Sequence, residues 1–256
     1  MYRELAEHYR KEIFQCTRCQ QKLMNPYLHC NPKHDPPDWA RYPMNRRRFQ
    51  LDYIESKEDV RLLVVGEAPG LDGCGYGGIA FTGEYNAVCQ LGLPNYHGTE
   101  ADWQREQSAN LIYGALATYS EEAGCTIARA AAGIYLTNAV LCVPLGKNGR
   151  SIAPPAKTTR RQCRPNLVRQ VEILRPQAVL TLGANALSAV AEAFGLKVSG
   201  KLTQLVGEQR RGKWTIDGPG FELLAEVHPS PRNRVLGELY TQLPQRLVEI
   251  FAQYLG

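Results

Sequence analysis

Four side chains of different chemistry stand in short loops along this chain. Glu67 lies in Gly66-Glu67-Ala68-Pro69-Gly70, directly after the apolar run Leu62–Val65. His228 opens His228-Pro229-Ser230-Pro231, directly after Leu223–Val227. Asn138 closes the run Gly133–Asn138, and Phe81-Thr82-Gly83-Glu84 closes a glycine-rich stretch that follows the first loop. Glu67 and His228 are titratable, Asn138 carries one acceptor and two donors on a fixed amide, and Phe81 has a flat face for stacking. Ligand sites in open parallel α/β sheets form outside the carboxyl ends of strands. The Glu67 and His228 loops can therefore serve one site although more than 150 residues separate them.

The elements that must position these loops follow from hydrophobic patterning. Arg61–Val65, Gly133–Asn138, Ala178–Gly183 and Leu223–His228 are continuous rather than alternating apolar runs. That pattern suits strands buried on both faces of a parallel sheet. Between them lie helical stretches at Asp102–Glu122, Thr158–Leu174, Ala184–Phe194 and Gly237–Tyr254, and residues 1–15 form a further helix with Leu5, Tyr9 and Ile13 on one face. Gly195 reads as a C-cap. Residues 20–50, rich in Pro, Asn, Arg and His, read as an irregular excursion, and residues 201–222 as a β-hairpin around Trp214-Thr215-Ile216. The expected fold is a three-layer α/β/α sandwich with a central, mainly parallel four-stranded sheet. No linker-like stretch divides it, so residues 1–256 are expected to form one domain.

Bulk properties narrow the class. No apolar run reaches the roughly 18 residues of a membrane helix, and Met1–Phe14 lacks a signal-peptide apolar block. The expectation is a soluble cytoplasmic chain without a membrane partner. A net charge of +5 permits a nucleic-acid partner without demanding one. Eight cysteines are many for a reducing compartment, where disulfides are rare, and point to metal or cluster ligation.

Taken in order, Gly-Glu-Ala-Pro-Gly, Phe-Thr-Gly-Glu, Thr-Asn and His-Pro-Ser-Pro resemble the motif set of the uracil-DNA glycosylase superfamily. The first motif has the wording of the iron–sulfur-containing family 4. Phe81–Glu84 is closer to family 5, and His-Pro-Ser-Pro-Arg-Asn to the single-strand-selective branch. The resemblance covers roughly residues 12–245, with an extra stretch near 90–130 and a 71–80 loop longer than the family 4 pattern. It implies a monomeric DNA-repair enzyme of base excision that hydrolyses the N-glycosidic bond of uracil, or another deaminated base, and leaves an abasic site. No lysine stands in a motif position to act as a β-lyase nucleophile.

The resemblance also assigns roles. His228 would donate a hydrogen bond to uracil O2 as negative charge develops on the departing base, aided by the backbone of Gly66, Ala68 and Gly70. Glu67 would orient or deprotonate the attacking water, with Glu84 as a rival carboxylate. Asn138 would read the O4 and N3–H edge, and Phe81 would stack on the extruded base. Ser230, Arg232, Asn233 and Arg234 would contact DNA, with Val235 or Leu236 as an apolar wedge. Arg46-Arg47-Arg48, Arg160-Arg161 with Arg164, and Arg210-Arg211 with Lys213 are further basic groups that serve either DNA or a solvated face.

Cys16, Cys19, Cys142 and Cys163 match the arrangement that holds a [4Fe–4S] cluster in families 4 and 5, and four thiolates are the usual ligand set. The cluster would pin the N-terminal segment of about 1–50 to the loop after Asn138. A structural zinc on Cys16, Cys19, Cys30 and His34 is the rival, and Cys30 is an alternative cluster ligand. Cys74, Cys89 and Cys125 read as small buried or semi-buried residues. Two other readings remain open: a glycosylase acting on hypoxanthine or trapping DNA covalently, and a non-catalytic cluster- or zinc-containing nucleic-acid-binding protein.

Overall fold

The computed structural model describes residues 2–19, 23–35, 41–104, 106–214 and 216–256. In chain order the strands are β1 Leu23–Met24, β2 Leu62–Gly66, β3 Ile134–Asn138, β4 Val143–Pro144, β5 Ala178–Leu182, β6 Ile216–Gly218 and β7 Phe221–Glu226. The helices are α1 Tyr2–His8, α2 Arg41–Glu55, α3 Cys74–Gly77, α4 Gln107–Glu122, α5 Ile127–Ala132, α6 Lys157–Leu174, α7 Ala184–Phe194, α8 Leu202–Arg210, α9 Glu238–Thr241 and α10 Leu243–Leu255. A π-helical turn, Tyr9–Ile13, extends α1.

The chain forms two compact units, interleaved in sequence. The sheet unit comprises Lys57–Glu67, Gln107–Thr137 and Arg175–Gly256, and the N-terminal unit comprises Met1–Ser56, Ala68–Glu106 and Asn138–Leu174.

The sheet unit is an α/β sandwich with strand order β3-β2-β5-β7-β6. β2, β5 and β7 run parallel, with Val65 opposite Thr181 and Thr181 opposite Ala225. Every residue of β2, β3 and β5 is buried, which is why these strands read as unbroken apolar runs. α7 packs on β2 and β5, α8 on β7, and α10 on α4. Gly195 ends α7 at φ 67°, the expected left-handed cap.

Three sequence expectations are corrected in this unit. The sheet has five strands, because β6 pairs antiparallel with β7 at the edge. The hairpin expected in 201–222 occupies only its second half, where β6 pairs with Phe221 and Glu222 of β7, and the first half is α8, which buries Leu205 and Val206 on β7. Thr215 lies outside the described residues. The closing helix expected over Gly237–Tyr254 is not continuous: α9 and α10 replace it, with Gln242 capping both and Pro244 in the first turn of α10.

The N-terminal unit carries the two-stranded pairing β1–β4, where Leu23 faces Pro144 and Met24 faces Val143. Met24, Val143 and Leu71 form a small apolar cluster. The reading of residues 20–50 as irregular misses α2, whose buried Phe49, Tyr53 and Ile54 anchor it. Residues 20–22 and 36–40 of that stretch lie outside the described residues.

Candidate active site

Within the sheet unit, Glu67 and His228 lie at one edge. The register that sets Val65 opposite Thr181 and Ala225 carries on to place Glu67, Gly183 and Val227 level with one another. The Glu67 and His228 backbones are thus about two strand spacings, roughly 10 Å, apart across the end of β5. Gly183 occupies that end with φ 99°, and its amide donates to Glu226 O at 2.8 Å. A Cβ there would lie 3.3 Å from His228 Cβ. The missing side chain of Gly183 makes room for the histidine.

His228 is held in one tautomer. The Ser230 amide donates to its Nδ1 at 3.1 Å, so Nδ1 is the acceptor and Nε2 carries the proton. Asn233 Nδ2 donates to His228 O at 2.9 Å. Burial pushes the imidazole pKa down to about 4, because desolvation penalises the charged ring. Behind the loop, Glu226 is buried and accepts from Arg210 Nη2 at 2.7 Å, and Arg210 also donates to Leu239 O at 3.1 Å. Arg210 is thereby committed to the fold, not to a solvated face.

Glu67 is partly exposed, and its Oε1 is buried without a hydrogen-bond partner among the described residues. Arg232 and Arg234 are exposed on the 3-10 turn Pro231–Leu236, which Ser230 caps by accepting from the Arg232 amide at 3.4 Å. Val235, 88% exposed, is the apolar tip of this turn, whereas Leu236 is half-buried.

In the N-terminal unit, Ala68, Pro69 and Gly70 lead into a loop whose carbonyls are clamped from the N-terminal segment. Asn31 Nδ2 donates to Leu71 O at 2.8 Å and to Gly75 O at 3.0 Å. Tyr27 OH donates to Gly78 O at 2.5 Å, and Arg46 Nε to Tyr76 O at 2.8 Å. Gly70 has open space, with nothing within 4 Å of an added Cβ, while Gly75 packs against Gly70 O. Close backbone approach is thus a property of Gly75 more than of Gly70. Phe81 is buried at φ 53°, a left-handed conformation uncommon for a bulky residue. Strain of this kind clusters at functional sites. Asn138 is buried at the end of β3.

Glu84 does not face solvent. Its Oε2 accepts from the Gln104 amide at 3.1 Å, its Oε1 stands 3.6 Å from His97 Nδ1, and both residues are buried. His97 is surrounded by Tyr42, Phe49 and Tyr76, with ring centroids 6.0, 5.1 and 5.0 Å away.

Arg46-Arg47-Arg48 is architectural. Arg46 is fully buried, pairs with the buried carboxylate of Asp35, and donates to Pro26 O and His29 O at 3.1 and 3.2 Å. Arg47 donates to Tyr27 O at 2.7 Å and covers Phe14, and Arg48 covers the Tyr96 ring.

All four candidate cluster ligands belong to the N-terminal unit, and every cysteine is free. Burial raises the Cys142 thiol, and Cys163, Cys16, Cys19 and Cys74 raise it further. Burial also pushes Cys163 up to about 11, against the opposing pull of the Leu141 amide and Asn166. Those two groups donate to its sulfur at 3.4 and 3.9 Å. Thiols with N–H donors on the Cys163 sulfur are the donor chemistry that an iron–sulfur cluster takes. Among the described residues no three His, Cys, Asp or Glu are grouped to hold a metal ion. The zinc set is not assembled: His34 Nε2 contacts Asp72 Oδ1 at 2.6 Å, and Cys30 faces Asp35 and Arg46. Cys89 is exposed, not buried as expected.

Sequence reasoning missed Asn31, Tyr27 and Arg46, which shape the glycine-rich loop, and His97. None carries a local signal, because each acts through a contact at least 13 residues away along the chain. Gly183 had one: a glycine directly after a buried strand.

Comparison with known proteins places this geometry in a family. The model of the uracil DNA glycosylase superfamily matches residues 54–253. The chain is similar to a type-5 uracil-DNA glycosylase of Pyrobaculum aerophilum, 29% identical over 187 residues, 71% of this chain and 66% of that protein. It is also similar to a type-4 enzyme of the same organism, 31% identical over 97 residues, 38% and 45% of the two chains. A type-4 enzyme of Saccharolobus solfataricus is 28% identical over 123 residues, 44% and 52%. The matches span about half to two thirds of the length of these relatives. The crystal structure of Pedobacter heparinus SMUG2 shares the fold, with a TM-score of 0.61 and 13% identity over 100% of this chain and 98% of that one.

Proposed function

Because the chain belongs to the uracil DNA glycosylase superfamily, we propose that it is a DNA-repair glycosylase that hydrolyses the N-glycosidic bond of uracil in DNA and leaves an abasic site. The observation that carries this reading is the neutral, tautomer-fixed His228 with Glu67 across the end of β5. Cleavage builds positive charge on the sugar and negative charge on the leaving base. A preorganised Nε2–H aimed at uracil O2 stabilises the second without itself giving up a proton. Glu67, with an unsatisfied Oε1, orients or deprotonates water and supports the cationic sugar.

In this reading the target nucleotide is flipped from the stack. Phe81 supplies the stacking face and Asn138 the amide that pairs with the O4 and N3–H edge. Gly66, Ala68 and Gly70 contribute backbone to the base, and Val235, directly after Arg234, fills the gap left in the duplex. Ser230 and Asn233 hold that turn through the bonds to His228. Cys16, Cys19, Cys142 and Cys163 would hold a [4Fe–4S] cluster. It would supply a structural cross-link, because hydrolysis needs no electron transfer. The enzyme acts alone, as a monomer on nucleoid DNA in the cytoplasm.

The test is a panel of single- and double-stranded oligonucleotides carrying uracil, hypoxanthine or no lesion, analysed with and without alkaline cleavage. Uracil release with alkali-dependent strand scission is expected. No release from any substrate that a control enzyme cleaves overturns the proposal. Release of hypoxanthine alone, or a covalent protein–DNA species, would move the chain to another chemistry of the same fold. Anaerobically purified protein should be brown and contain iron and sulfide. A colourless, zinc-containing preparation would remove the cluster from this account.

A further inference from the structure

The N-terminal unit carries a cationic surface that the excision chemistry does not use. Between Glu122 and Glu172 the chain contains no Asp or Glu. From Ala139 to Val171 it carries Lys147, Arg150, Lys157, Arg160, Arg161, Arg164 and Arg169, more positive charge than the whole chain's net +5. Arg169 pairs with Glu4 and Glu172. Among the described residues Lys147, Arg150, Lys157, Arg160 and Arg161 form no ion pair, and all but the half-buried Arg160 are exposed.

Two elements display them. Leu145 and Ile152 pair antiparallel, and the turn between them is fixed by Asn148 Oδ1, which accepts from the Arg150 and Ser151 amides at 3.0 Å. Lys147 and Arg150 sit at its tip. In α6, positions 157, 160, 161 and 164 fall on one face, opposite the buried Thr159, Cys163 and Asn166. These cations fill the first two turns of the helix, whose first turn has no acidic residue. Cations favour the opposite end of a helix, so the macrodipole does not explain them. Lys157 to Arg164 covers about 10 Å of helix axis, the length of about three phosphates of one strand. Four residues, including Pro154-Pro155, join Ile152 to Lys157, a span of at most roughly 17 Å.

We propose that the hairpin tip and this face of α6 form a phosphate track for the DNA backbone, separate from the turn that carries Arg232 and Arg234. The proposal rests on the reading of the chain as a DNA-acting enzyme. It is sequence-blind, and its contribution appears as salt-dependent affinity.

The test uses the full chain with undamaged and uracil-containing oligonucleotides, and the double variants K147Q/R150Q and K157Q/R161Q. Binding to undamaged DNA is titrated against salt. Each double variant should lower the slope of log K against log salt by about 1.8 on duplex and about 1.4 on single strands. The single-turnover rate at saturating protein should stay within about twofold of the parent. Unchanged slopes in both folded variants overturn the track, even if uracil is excised. Reduced slopes in a protein that excises nothing support the track and reject the proposed activity instead. Loss of binding to polyglutamate with unchanged DNA slopes would reassign the surface to an acidic protein and overturn the proposal.

Discussion

The Ser230 amide donates to Nδ1 of His228 at 3.1 Å, and this bond makes the imidazole a neutral Nε2–H donor. The bond spans only two residues, so the tight turn that follows β7 sets the tautomer locally. The chemistry at the sheet edge is in this sense a product of the Pro-Ser turn as much as of the histidine.

Burial of the ring predicts an unusual pH profile. His228 has a folded pKa of about 4, below its ordinary 6.5. The donor therefore survives to about pH 4, and kcat/KM for uracil release should show no His228-dependent break near 6.5. Between about 4 and 6.5 the unfolded chain binds the extra proton, so the stability contributed by His228 is complete above 6.5 and lost as pH falls toward 4. His228→Asn should lower the single-turnover rate by about 10²–10³ with DNA binding retained. An acid limb near pH 6.5 that vanishes in this variant would contradict the assignment.

Gly183 predicts a coupled loss. Its φ of 99° and ψ of 159° are almost exclusive to glycine, and a side chain there costs about 1–3 kcal/mol. The added Cβ would also press on His228. Gly183→Ala should lower the urea midpoint and slow base release. Gly195→Ala is the control, because φ is 67° but nothing lies within 4 Å. It should cost about 1–2 kcal/mol and leave the excision rate unchanged. Equal excision rates in the two variants would mean that Gly183 does not seat His228.

Arg46 predicts a stability effect where its sequence context suggests DNA binding. Arg46→Met leaves the Asp35 carboxylate buried without its partner, which costs about 3–5 kcal/mol. Asp35→Leu added to it should recover much of the loss, read as a partial return of the urea midpoint. Arg46→Lys keeps the charge but loses the fork that reaches Tyr76, Pro26 and His29. That variant should fold less stably yet bind DNA with an unaltered salt slope. A reduced slope would return Arg46 to the DNA-contacting residues.

The contrast between Glu67 and Arg46 explains which parts of the molecule were legible in the sequence. β2, β3, β5 and β7 were, because burial on both faces writes a continuous apolar run. Glu67, Asn138 and His228 were legible because each directly ends or follows such a run. α2 was hidden because its mean composition is polar: Arg46 is buried through a carboxylate and three carbonyls that only tertiary structure brings to it. α8 was hidden because the aromatic Trp214 and the glycines of residues 201–222 carry a strand signal that belongs to β6 and the start of β7. Buried polar contacts between distant residues leave no periodicity to read.

The two carboxylates of the first loop region should separate cleanly. Each leaves its Oε1 buried without a hydrogen-bond donor among the described residues, but Glu67 is partly exposed whereas Glu84 is buried. Glu84 is packed against His97 and the Gln104 amide, and its Oε1 lies 2.8 Å from where a Cβ of Gly77 would stand. The first is free to act on water; the second is a strut under the glycine-rich loop. Glu67→Gln should lower the single-turnover rate by about 10²–10⁴ with no change in the urea midpoint. Glu84→Leu strips the Gln104 amide of its buried acceptor and removes the carboxylate 3.6 Å from His97 Nδ1, and should cost about 1–3 kcal/mol of stability. His97→Leu should reproduce that loss in part, and the two effects should not add, because both variants break one contact. A fully stable Glu84→Leu protein with no excision would make Glu84, not Glu67, the carboxylate that handles the water.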